Sequence, residues 1–76
     1  MRVLPVDGGW MVDNDVAGMP LLFRAGAQAE IKAKALARLV ADQGQQAQVV
    51  VHDRRGVVVG SLVVGPGRGW VRAPSP

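Results

Sequence analysis

The sequence predicts an α+β fold, a small antiparallel sheet of four to five strands with one α-helix packed on one face, in the order β-β-(β)-α-β-β. Three observations carry this expectation. Short valine-rich runs bounded by turn residues occupy both ends of the chain, one long segment between them changes to a three- and four-residue apolar period, and 76 residues leave room for a single core. Residues 1–64 are expected to form that single domain. Residues 65–76 read as a Gly/Pro-rich C-terminal tail or a short extra strand.

Residues 2–6 read as the first strand, and Asp7-Gly8-Gly9 supplies the positive-φ positions of a tight hairpin turn. Trp10, Val12 and Asn14 follow on alternate positions, the period of a strand with one face buried. Asp13-Asn14-Asp15 and Gly18 mark a polar turn. Met19 to Arg24 is a third strand that Pro20 confines to an edge or to its first residue. From Ala27 to about Gln43, Ile31, Ala35 and Leu39 with Leu36 and Val40 recur at helical spacing, and six alanines between 27 and 41 raise the propensity. Glu30 is expected to favour the first turn and to pair with Lys34, Gly44 to end the helix, and Gly26 to serve as a middling N-cap. Ala47 to Val51 and Val57 to Val64 are rich in β-branched residues. Asp53-Arg54-Arg55-Gly56 between them has the length and terminal glycine of a type I turn closed by a left-handed residue. Gly65-Pro66-Gly67-Arg68-Gly69 breaks the last strand, and the residues from Ala73 to Pro76 are expected to fray.

Composition narrows the function classes. With 49% hydrophobic and 20% charged residues the chain is too apolar for disorder, and without cysteine it has no disulfide or thiolate site to reinforce a small core. Oligomerisation is the remaining reinforcement. Pro5, Asp7 and two glycines interrupt the start before any apolar run of signal-peptide length, so a cytoplasmic location is expected. Val57 to Val64 falls well short of the roughly 20 residues of a spanning helix, and no membrane association is expected. A net charge of +3 draws a protein toward nucleic acid or acidic partners, although the excess is small.

Several positions together form a pattern: Val3-x-Pro5-x-x-Gly8-Gly9-Trp10-x-Val12, then Ala29-Glu30 at the start of an Ala-rich helix, then Gly44 and Val50-Val51-His52-x-x-x-Gly56-x-Val58. Over roughly residues 2 to 59 this resembles a family of short bacterial and phage proteins designated domain of unknown function twenty-one eighty-eight. The resemblance implies a small α/β fold and carries no catalytic residues. The chain departs from the family in having Ala27 where members place Thr or Ser, and Met19-Pro20-Leu21-Leu22 where members have a polar, Arg-containing segment. A lost cap and an apolar edge point to burial of that edge against a partner.

Catalysis needs a nucleophile or a matched acid and base. The chain has no Cys, Thr or Tyr, one His, and hydroxyls only at Ser61 and Ser75, so no enzyme activity, cofactor or small-molecule substrate is expected. His52 beside Asp53 reads as a ligand or proton carrier, or as a strand-end residue bonded to the turn backbone; the second needs no converging ligands and is preferred. Asp13 to Gly18 echoes a calcium loop, but Ala17 and Arg24 stand where ligands belong, so no metal site is expected. The glycine-rich segment 65–69 lacks the Lys-Ser/Thr and following helix of a phosphate loop.

Three functional readings remain. A protein partner or self-association, with a homodimer expected, would use an apolar edge at Met19, Leu21 and Phe23. A nucleic-acid or acidic-partner surface would use Lys32, Lys34, Arg38, Arg54, Arg55 and Arg68, with Trp70 and Arg72 forming a stacking and phosphate-binding pair unless Trp70 packs back on the sheet. The family's phage members suggest a third, an inhibitor of a host nucleic-acid machine similar to an anti-CRISPR protein. Trp10 is expected to be the core aromatic beneath the helix.

Overall fold

A computed structural model describes residues 1–14 and 18–73. The strands are β1 (Arg2–Val6), β2 (Gly9–Asp13), β3 (Leu21–Phe23), β4 (Ala47–His52), β5 (Val58–Val64) and β6 (Val71–Arg72), and the helix is α1 (Gly26–Asp42). They build an α+β domain with one helix on a six-stranded sheet of order β3-β2-β1-β4-β5-β6. Of the polar turn expected from Asp13 to Gly18, residues 15–17 lie outside the described residues, as do 74–76 of the expected frayed end; its first residue, Ala73, is instead buried and donates its N–H to the Ser61 carbonyl at 2.8 Å.

Val71 pairs with Val63 and Arg72 with Leu62, so the segment after the glycine-rich break supplies the short extra strand and brings the sheet to six strands where four to five were expected. The pairing of β1 departs from the expected antiparallel sheet. The β1–β4 pair is parallel, through Arg2↔Val50 and Val3↔Val51, while the other four pairings are antiparallel. The parallel pair follows from connectivity. Three meandering strands leave the chain at the β3 edge, and α1 carries it back across β2 and β1, so β4 arrives beside β1 running in the same direction.

The turns follow local chemistry. Gly8 has φ +79 after Asp7, and a Cβ at Gly9 would overlap the Phe23 carbonyl oxygen, so this glycine is required by close approach of β3 and not by a positive φ. In the β4–β5 hairpin, the Gly56 N–H donates to the Asp53 carbonyl at 2.9 Å and the Asp53 N–H to the Val57 carbonyl at 2.8 Å, with Gly56 at φ +81. This is the expected type I turn closed by a left-handed glycine.

Helix α1 begins without a side-chain cap. Ala25 is the N-cap, one residue before the expected Gly26, and Glu30 lies beyond the first turn, which has no acid. At the other end Gly44 donates to the Ala41 carbonyl at 3.0 Å and Gln45 to the Val40 carbonyl at 3.2 Å, the double bond of a Schellman motif.

The helix buries a different face from the one the large residues outline. Ala29, Ala33, Leu36, Ala37 and Ala41 are buried against Val3, Val12, Val49 and Val64, whereas Ile31 is 69% and Leu39 52% exposed. Counted at 100° per residue, Ile31, Ala35 and Leu39 lie on the solvent side. Four alanines and Leu36 seat the helix closely on valines, and Ile31 and Leu39 are left outside. Trp10 is half-buried beneath the first turn, where a Cβ on Gly26 would come within 2.9 Å of its ring.

Candidate functional site

The charged segment between the valine strands is held as a turn. Asp53 Oδ1 accepts the N–H groups of Arg55 at 2.8 Å and Val57 at 3.0 Å, and His52 Nδ1 lies 3.0 Å from the Gly56 carbonyl. A carbonyl only accepts, so Nδ1 carries the proton of this bond. The ring's Nε2 is buried without a hydrogen-bond partner, on a side chain only 6% exposed. His52 therefore takes the expected strand-end role. Among the described residues no three His, Cys, Asp or Glu side chains come together as a metal site would require.

The basic residues divide into separate groups. Arg54 stacks over Trp10 with its guanidinium 5.2 Å from the ring centroid, beside the uncapped start of α1, and Arg55 shares the same hairpin. Lys34 is paired with Glu30 at 3.1 Å, while Arg38 donates to the Arg68 carbonyl at 2.9 Å and so ties the post-β5 loop to the helix. Arg54 and Arg55 precede β5 and Arg68 follows it, which separates them by the seven-residue strand, about 20 Å at ~3.3 Å per residue. Lys32 is exposed on the outer side of α1. Arg72 pairs in register with Leu62, and Trp70 packs against the core cluster, as the stacking alternative would not have it.

The apolar candidates sit at the β3 edge. Met19 is 70% exposed, while Leu21 and Phe23 turn toward the helix and pack against the core. The residue between them, Leu22, points to the opposite face and is 72% exposed.

The opposite face of the sheet is apolar as well. Strand alternation and register place Leu4, Val6, Met11, Leu22, Val50 and Val63 together on the side away from α1, and none of them belongs to the helix-facing core. Val71 extends the patch onto β6. Its charged strand residues are Arg2 and Asp13, direct cross-strand partners at one end of the β1–β2 pair, where Arg2 is also in register with Val50 of β4. Near the β4–β5 centre, Gln48 Nε2 donates to Ser61 Oγ at 2.7 Å. The signal for this face was present in the sequence: Arg2-Val3-Leu4-Pro5-Val6, Trp10-Met11-Val12 and Val49-Val50-Val51 are apolar at both strand parities. Such strands belong to sheets covered on both sides, and the described chain has one helix to offer.

A cleft of about 710 Å³ lies between the end of α1 and the start of β4, lined by Asn14, Gln43, Gln45, Gln46 and Gln48 among others. Its polar lining is mostly neutral amide, with Asp13 its one acid. No helix among the described residues is long and apolar enough to cross a membrane. Comparison with known proteins found no matching family model, no similar curated protein and no similar solved structure.

Proposed function

We propose that this chain is a non-enzymatic interaction module that associates with a second copy of itself. The observation that carries this reading is the mismatch between strands apolar on both faces and a single helix that covers one of them. The functional-group inventory supports the non-enzymatic half. The chain has no Cys, Thr or Tyr, its one histidine is bonded into its own turn, and among the described residues the one Ser hydroxyl is bonded to Gln48 rather than to a base.

Nucleic-acid binding has less behind it, because the cations are dispersed, one is paired with Glu30 and another bonded to a backbone carbonyl. Inhibition of a host nucleic-acid machine draws only on the family resemblance. Light scattering after size exclusion, repeated over a wide concentration range, tests the self-association reading. The expected mass is twice that of the chain, and a monomer at the highest concentration would overturn it.

A further inference from the structure

We infer that the second copy docks on the helix-free face of the sheet, two sheets packing face to face about a two-fold axis to give a closed α-β-β-α sandwich. This rests on the self-association reading and specifies its surface. Three observations single out this face over the β3 edge and the outer stripe of α1.

The first is size. The molecule measures 36 × 25 × 17 Å along its principal axes, a sheet layer and a helix layer in the thin direction. Taken as an ellipse, its broad face covers roughly 700 Å², within the roughly 600–1,000 Å² that each partner of a stable protein interface contributes. The Ile31, Ala35 and Leu39 stripe is one residue wide, and the edge strands β3 and β6 have three and two residues.

The second is charge. The whole chain carries +3, which opposes contact between copies, but the face carries one cation and one anion, Arg2 and Asp13, and is neutral. A two-fold axis passing between them would set Arg2 of each copy against Asp13 of the other.

The third is chemistry at the centre. Leu4, Met11, Val50 and Val63 carry no polar side-chain atoms that desolvation would orphan; of the polar groups beside them, the Ser61 hydroxyl is bonded to Gln48 on its own copy, and Arg2, in register with Val50, has Asp13 as its cross-strand partner. Two such faces at the ordinary sheet-to-sheet spacing of about 10 Å would give each other's valines, leucine and methionine the second layer that the helix gives their neighbours.

The test compares the wild type with a Leu22→Lys/Val63→Lys variant on the face and an Ile31→Lys/Leu39→Lys variant on the helix. Each is followed by light scattering, with circular dichroism to confirm folding. The face variant should halve the observed mass and the helix variant should leave it unchanged. A dimer that survives the face changes, or dissolves with the helix changes, overturns the docking surface while leaving self-association intact; a monomeric wild type overturns both. Because the chain has no cysteine, a second measurement needs no lysine variants. Single-cysteine variants Leu4→Cys, Met11→Cys and Val50→Cys, treated with a short bis-maleimide, should include at least one that cross-links to a dimer. Ile31→Cys and Leu39→Cys should not, and the reverse pattern would overturn the inference.

Discussion

At single positions, contacts decide the effect of substitution more than residue class does. Gly9→Ala adds a Cβ against the Phe23 carbonyl, a backbone atom that yields only if β3 moves. A loss of about 1–3 kcal/mol is expected in urea unfolding. His52 allows a finer test of its ring. Asn places an amide nitrogen near the position of Nδ1, which keeps the bond to Gly56 and discards the partnerless Nε2. His52→Asn should therefore retain about 1 kcal/mol more stability than His52→Ala, the net worth of one such bond. Equal losses in the two variants would show that the Gly56 bond contributes nothing.

At the scale of the helix, the missing cap and the alanine face each give a test. Ala25→Asp supplies an acceptor for the first-turn N–H groups and a negative charge at the positive end of the dipole, so it should stabilise by about 1 kcal/mol. Ala33→Leu forces a large side chain between helix and sheet and should cost about 1–3 kcal/mol. Ile31→Ala on the outer side should change the stability of the isolated chain by less than about 0.5 kcal/mol. Thermal or urea unfolding of the three reads all of these. The same elements mark the limit of sequence reading. The turn at 53–56 and the helix stop at Gly44 were legible because a few neighbouring residues determine them. The parallel β1–β4 pair was not, since it joins residues 48 positions apart, as Arg2 and Val50 do, and no local pattern names a strand's neighbour. The helix face was misjudged because Ile31 and Leu39 suggest burial by size, while close packing selected the alanines. The two residues of β6 are too few to show a period. Of the candidate site, the apolar run at the β3 edge was legible as apolar, but alternation turns Leu21 and Phe23 inward and Leu22 outward.

For the whole molecule, the proposed association would be linked to folding. If the folded chain dimerises and the unfolded chain does not, the midpoint of thermal unfolding must rise with protein concentration. A rise between dilute and concentrated samples is expected by scanning calorimetry, and it should vanish in Leu22→Lys/Val63→Lys. The parallel β1–β4 contact has a different consequence. Only two register pairs join the meander β1-β2-β3 to the meander β4-β5-β6, so the sheet is two antiparallel halves meeting at a short seam, with α1 lying over it as a clamp. Sub-global opening should begin along that seam. Amide exchange would then separate the seam strands from the hairpin interiors, and the last folding step would be the docking of one finished half onto the other.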